Sequence, residues 1–272
     1  MGAMTTQQVP WSPGTACWAD ITVPDLDRAT GFYGPLLGWR FETGGPETGG
    51  YTQAFVGDRK VVGLTEPMGE DPAPPAAWCV YLATDDLAAT AERAEQLGGR
   101  TLLGPIDVMG FGSMALLTDP TEAVVGLWSG GSHIGWEVVD EPGAVVWTEH
   151  MSHDQARALA FYDGLFGYDV TDLSAPDFDY ASVAVDGETV RSGIGGYGPG
   201  AGAQVPAAWT VYFQVPVADD AAARVTELGG TVVSPPEDTP YGRMVLVKGP
   251  FGEVFALMEP PAEQPPTGTP PA

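Results

Sequence analysis

An α+β fold of two tandem modules is what this sequence predicts, each module built of paired βαβββ units. Three observations predict it. The chain repeats itself once along nearly its whole length. Within each copy, period-2 strand patterns and helical stripes follow one another in the order strand, helix, strands, twice over. The length, 272 residues, suits one large domain or two of ordinary size.

The repeat is read directly. Cys17-Trp18-Ala19-Asp20 falls on Val146-Trp147-Thr148-Glu149. Phe32-Tyr33 falls on Phe161-Tyr162, Leu36-Leu37-Gly38-Trp39 on Leu165-Phe166-Gly167-Tyr168, and Tyr51 on Tyr180. Ala77 to Tyr81 matches Ala208 to Tyr212, Leu97-Gly98-Gly99 matches Leu228-Gly229-Gly230, and Phe111 to Met114 matches Tyr241 to Met244. The first strand alternates, with Ala19, Ile21 and Val23 on one face and Trp18, Asp20 and Thr22 on the other. A helix follows, its apolar stripe carried by Ala29, Phe32, Tyr33, Leu36 and Leu37, or by Ala158, Phe161, Tyr162, Leu165 and Phe166. Ser152 and Gln155 have capping-box spacing at the start of the second of these helices. Gly38 and Gly167 sit where a left-handed cap is needed. Three strands come next, with turns at Gly57-Asp58 and Asp186-Gly187. After a Pro/Gly-rich loop (Gly69 to Ala76, Gly198 to Pro206) the pattern recurs, its helix running Asp85 to Gln96 or Asp219 to Leu228. The modules are placed at 14–130 and 143–260, with a linker at 131–142 and a Pro-rich, disordered tail at 261–272.

Composition narrows the function. Eleven Lys and Arg stand against 36 Asp and Glu, a formal net charge of −25. Such a balance argues against nucleic acid and anionic membranes as partners, since both need clustered cations. No apolar run approaches the ~18 residues of a membrane span, and Met1 to Pro13 has no signal-peptide pattern. Cys17 and Cys79, without CxxC spacing, read as reduced thiols of a cytoplasmic protein, both facing the helices. No dinucleotide fingerprint, P-loop or Ser-His-Asp order is present.

The order of elements, the helix text Arg28 to Gly38 and the Leu-Gly-Gly endings resemble the vicinal oxygen chelate superfamily, over about residues 14–260. The resemblance implies that each module curls its sheet into an open cup, with helices outside and a ligand inside. Many members chelate a divalent metal there through a His, a His and a Glu on the first, fifth and eighth strands. Those positions fall on Trp18 and Trp147, at or beside Trp78 and Trp209, and on Ser129 and Glu259. Only Glu259 carries a metal-binding side chain, whereas such sites need three ligands. No cofactor is therefore expected, the alternative being a hard divalent ion on Glu149, Glu259 and waters.

Candidate site residues follow. Trp18, Trp147, Trp78 and Trp209 are either core or aromatic walls for a flat ligand. Asp20 and Glu149 are equivalent and point into the cups by alternation. Glu149 and Glu259 are the acid–base candidates, with Tyr241 and Arg243 beside them. Two functions stay open. One is metal-free binding of a flat aromatic metabolite or drug, of the bleomycin-resistance type. The other is an acid–base enzyme of secondary metabolism, a lyase, isomerase, epimerase or cyclase. The expected partner is a small organic ligand. A monomer is sufficient, and a homodimer is compatible.

Overall fold

The structure is a computed structural model that describes residues 5–67 and 75–261. Most of the Gly69 to Ala76 loop and residues 262–272 of the tail lie outside the described residues. After a short β1 (Thr5–Thr6), the first module runs β2 (Ala16–Thr22), α1 (Leu26–Leu37), β3 (Arg40–Thr43), β4 (Thr52–Val56) and β5 (Arg59–Thr65). It continues with β6 (Trp78–Ala83), α2 (Leu87–Gln96), β7 (Arg100–Asp107), β8 (Gly112–Thr118) and β9 (Val124–Gly130). Its sheet order is β3-β4-β5-β2-β6-β9-β8-β7.

The linker carries a strand of its own, β10 (Val138–Val139), which joins the second sheet between β1 and the next strand. The second module runs β11 (Val145–Ser152), α3 (Gln155–Phe166), β12 (Asp169–Asp172), β13 (Tyr180–Val185), β14 (Glu188–Gly196) and β15 (Ala208–Gln214). It ends with α4 (Ala218–Glu227), β16 (Thr231–Val232), β17 (Glu237–Thr239), β18 (Gly242–Lys248) and β19 (Val254–Glu259). Its order, β12-β13-β14-β11-β15-β19-β18-β16, repeats that of the first module strand for strand. This is the predicted α+β architecture of two tandem modules.

The helices begin and end as local chemistry dictates. Gly38 and Gly167 adopt left-handed φ of 72° and 68° and close α1 and α3. Asp25 and Asp86 cap α1 and α2 by accepting backbone N–H bonds. The expected capping box at Ser152 is not formed. Asp154 caps α3 through Arg157 N, and buried Ser152 instead accepts from Asp154 N. A side chain two residues nearer the helix reaches the free N–H groups better.

The two modules meet across their helix-covered faces in a pseudo-symmetric core. Trp78 and Trp39 pack edge-on against Phe213, and Phe255 receives Phe32 edge-on and Tyr33 at a tilt. The Leu-Gly-Gly endings explain themselves here. Gly98 and Gly229 take positive φ. A Cβ on Gly99 would press on Phe161 of the other module, and one on Gly230 on Phe32, each at 3.0 Å. Hydrogen bonds cross in matching pairs. Trp39 donates to Gly143 O (2.7 Å) and Tyr168 to Gly14 O (2.6 Å). Tyr33 donates to Glu253 (2.7 Å) and Tyr162 to Asp119 (2.9 Å).

Candidate functional site

Register decides which side chains face each cup, because directly opposed residues on neighbouring strands share a face. Trp18 lies opposite Tyr81, and Asp20 opposite Cys79 and Gly63. In the second module Trp147 lies opposite Tyr212, and Glu149 opposite Thr210 and Gly193. These are the cup faces. Ile21 pairs with Trp78, and His150 with Trp209, on the opposite, helix-covered face.

The floor of the first cup is a hydrogen-bonded set of four residues. Trp18 Nε1 donates to the Tyr51 hydroxyl at 2.9 Å. Tyr51 and Tyr81 both donate to Asp20 Oδ2, at 3.3 and 3.2 Å. Burial pushes the Asp20 carboxyl up to about 7, against the lowering effect of the two hydroxyls. Gly63 makes the set possible, since a Cβ there would overlap the Tyr51 hydroxyl. Above this floor opens a cavity of about 520 Å³, walled by Trp18, Trp128, Met109, Phe111 and Met114, with Glu42, Glu47 and Lys60 at its edge. The size suits a small organic ligand. His133 also lines it. Its ring stands edge-on to Trp18 with centroids 4.4 Å apart, and its backbone is pinned by Phe111 O and Trp128 Nε1. Burial, with Lys60 nearby, lowers His133 to about 4, so the imidazole is neutral at pH 7.

The second cup repeats the device. Trp147 Nε1 donates to the Tyr180 hydroxyl at 3.0 Å, and Tyr212 donates to Glu149 Oε2 at 2.7 Å. Tyr180 is the other hydroxyl bearing on Glu149, whose carboxyl burial pushes upward. Gly193 leaves room for Tyr180 as Gly63 does for Tyr51. Tyr241 is 61% exposed, and burial and Glu149, more than Tyr241, push the Tyr180 hydroxyl upward.

Several expected residues lie elsewhere. Trp78 and Trp209 sit in the core between the modules, where Trp209 donates to Tyr162 at 2.8 Å and Trp78 rests edge-on against Tyr33. Glu259 is behind its sheet. It accepts the Ala218 N–H at 2.9 Å and so satisfies the first turn of α4, which has no side-chain cap of its own. Arg243, opposite Glu259 on β18, binds Asp219 of the same turn and Asp238. The last-strand positions that face the cups are one residue earlier, Trp128 and Met258, a shift that exchanges the faces of a strand. Glu149 and Glu259 therefore share no cup. Cys79, opposite Asp20, faces the cup rather than the helices. The tyrosines are the residues sequence reasoning left out. Their signal was present, since Tyr51 and Tyr81 recur as Tyr180 and Tyr212.

The donor set does not fit a chelated metal. Each cup floor offers one carboxylate, Asp20 or Glu149, and no group of three or more His, Cys, Asp or Glu that could hold an ion occurs among the described residues. Nor is any helix of the described residues long and apolar enough to cross a membrane.

Comparison with known proteins accords with this architecture. The sequence profile of the Glyoxalase/Bleomycin resistance protein/Dioxygenase superfamily matches residues 16–127 and 144–257. The chain is 32% identical over 256 residues to "Putative glyoxylase CFP32" of Mycobacterium tuberculosis, covering 92% of this chain and 97% of that protein. It is 33% identical over 268 residues to anthracycline biosynthesis protein DnrV of Streptomyces peucetius, covering 92% and 94%. Among solved structures, 2,2',3-trihydroxybiphenyl 1,2-dioxygenase of Sphingomonas wittichii superposes with a TM-score of 0.62 at 14% identity, covering 91% of each chain. The Mn(II)-bound glyoxalase of Novosphingobium aromaticivorans gives 0.62 at 15% identity, covering 93% of this chain and 86% of that one. At these identities the structures speak to fold alone.

Proposed function

Because the chain belongs to the Glyoxalase/Bleomycin resistance protein/Dioxygenase superfamily, whose cups host many chemistries, we propose that its first cup binds a small, flat, hydroxylated aromatic metabolite without a chelated metal. The observation that carries this reading is the Asp20 carboxyl, held by two tyrosine hydroxyls on the floor of a cavity of about 520 Å³ with indole and thioether walls. Both tyrosine bonds end on Oδ2, which leaves Oδ1 to meet a ligand hydroxyl. Trp18 and Trp128 suit a planar ring system. Lys60, paired with Glu137 at 3.4 Å, is the cation among lining residues that include Glu42 and Glu47. The similarity to a protein named for anthracycline biosynthesis supports the same ligand class. Sequestration in the cytoplasm, as resistance or as carriage during biosynthesis, would follow from binding alone. The two free cysteines agree with that compartment.

The test is titration with 1,8-dihydroxyanthraquinone, read by tryptophan emission, on wild type and Asp20→Asn. Saturable quenching that weakens at least tenfold in the variant is expected. A flat response in wild type, or equal affinity in both proteins, refutes the reading. Elemental analysis of untagged protein is expected to give well under one bound Mn, Fe, Ni or Zn per chain.

A second reading is favoured by one observation. A carboxyl raised to about 7 is poised for acid–base work at neutral pH. On that reading Asp20 would move a proton on the bound ligand, with Tyr51 and Tyr81 stabilising its anion. Retained binding with lost turnover in Asp20→Asn would distinguish this enzyme from a binding protein.

A further inference from the structure

We propose that β7 and the loop after it form a self-association face, on which a second copy of this chain packs antiparallel about a two-fold axis. The inference is independent of what the first cup binds.

β7 ends its sheet, bonded to β8 on one side. On it Leu102, Leu103 and Ile106 are 45, 46 and 42% exposed, and Met109 and Phe111 just beyond are exposed too. Met109 and Phe111 also wall the first cavity, whereas Leu102, Leu103 and Ile106 do not. The duplication supplies a control. Ile106 lies opposite Met114 as Glu237 lies opposite Met244. Leu103 lies opposite Leu116, where in the second module Ser234 bonds to Leu246. The fold thus accepts a carboxylate and a hydroxyl at these positions and does not require the apolar pair. Contiguous exposed apolar side chains that the fold does not need mark an interaction face.

Charge says what covers it. From Arg100 to Leu117 the chain carries one cation, Arg100, and one anion, Asp107, so the segment is neutral in a chain of net charge −25. A basic partner would choose an acidic face instead. Two like-charged copies repel elsewhere and can approach here. The two charges also stand at opposite ends of the apolar run. A two-fold contact requires that residue i meet j and j meet i. An antiparallel copy satisfies this, setting each Arg100 beside the other copy's Asp107 with the apolar side chains between. In the single chain Arg100 makes a loose, exposed pair with Glu122 at 3.6 Å, and Asp107 accepts the Gly110 N–H. Pro105 offers no N–H, and the register with β8 is irregular from Thr101 to Ile106. The two edges therefore meet through side chains rather than as a continued ladder.

The experiment is sedimentation equilibrium of the full chain over a hundredfold range of concentration, with each variant checked for folding by circular dichroism. Wild type is expected to be a reversible dimer, since a two-fold contact closes at two copies. Ile106→Glu, the residue type of the second module, should weaken it at least tenfold. Leu103→Ser, a gentler change, should act in the same direction. Arg100→Glu and Asp107→Arg should each weaken it several-fold, and the two together should restore it. A wild type that stays monomeric at every concentration, or assembles beyond two copies, overturns the inference. So does a dimer unchanged by Ile106→Glu and Leu103→Ser, or one lost instead in Val170→Glu on the exposed β12. Charge reversals that fail to restore each other overturn the antiparallel arrangement.

Discussion

The two modules share a floor and differ in what surrounds it. Asp20 and Glu149 occupy the same strand position; Asp20 accepts from Tyr51 and Tyr81, Glu149 accepts from Tyr212 with Tyr180 also bearing on it, and in each set a tryptophan N–H braces one tyrosine. Around the first floor the linker closes in. Trp136 N bonds Cys17 O, Arg59 grips Glu141 with two bonds at 2.8 and 2.6 Å, and His133 covers Trp18. The second floor has its tryptophan partly open. The interface shows the same near-symmetry. Asp119 and Glu253 are equivalent acceptors for a tyrosine of the other module, yet only Asp119 has a histidine beside it. Duplication thus preserved the hydrogen-bonded framework, and divergence acted on the residues placed against it.

Replacing His150 by Ile, the residue its counterpart Ile21 already is, should have the largest effect. His150 Nε2 lies 2.8 Å from Asp119 Oδ2, and neither side chain is exposed. Removing one partner of such a pair costs about 3–5 kcal/mol. The pH profile should also change sign. Burial raises Asp119, but the hydrogen bond and charge of His150, with the Thr121 and Tyr162 hydroxyls, hold it below the usual carboxylate value. Its contribution is therefore present above pH ~4 and lost as pH falls through the lowered value. At Glu253 burial wins over the Tyr33 hydroxyl and backbone bonds, and the carboxyl is raised. That contribution is present below its ordinary value and lost as pH rises. Without His150, Asp119 should behave as Glu253 does. Urea unfolding between pH 3 and 8 checks this, and an unchanged acid limb in the variant would sink the argument.

Gly63→Ala and Gly193→Ala should each cost about 1–3 kcal/mol, the usual penalty for crowding a packed site. Neither glycine has a positive φ, so the cost is steric. Each variant should disturb one cup only. Gly63→Ala should abolish the quinone response, and Gly193→Ala should leave it intact. Thermal melts that differ between the variants by well over 1 kcal/mol would mean the two floors are not built alike.

The fold was legible because duplication writes each element twice. A chance pattern of Trp, Phe-Tyr and Leu-Gly-Gly does not recur in order. The floor was half legible. Alternation put Trp18, Asp20, Trp147 and Glu149 on one face, and the register agrees. The tyrosines were hidden because a residue common to both copies reads first as part of the repeated fold. A duplicated site is common to both copies as well. Trp78 and Trp209, read as core or wall, proved to be core, and Glu259 was misplaced, for a simpler reason. On a strand an error of one residue exchanges cup and core, and short apolar runs such as Phe255 to Met258 carry no alternation to correct it. The cover of His133 on Trp18 was beyond reach, since no periodicity reports where a linker returns.

The smallest effect expected separates the two carboxyls themselves. Asp20 is raised by burial and opposed only by Tyr81 and Tyr51. Glu149 is raised by burial and opposed by Tyr212, Tyr180 and the charge of His150. A raised carboxyl holds its proton more tightly in the folded chain than in the unfolded one. Its contribution is therefore full below its ordinary value, pH ~4, and is lost as pH rises, up to about 7 for Asp20. Asp20→Asn removes that loss and should stabilise the chain at pH 8 relative to pH 5 by on the order of 1–2 kcal/mol. Glu149→Gln should do the same to a smaller extent, because a histidine charge behind the sheet already favours its ionised form. Chemical denaturation of both variants at the two pH values measures the difference. Equal gains would mean that His150 spends its charge on Asp119 alone and that the two floors are electrostatically the same.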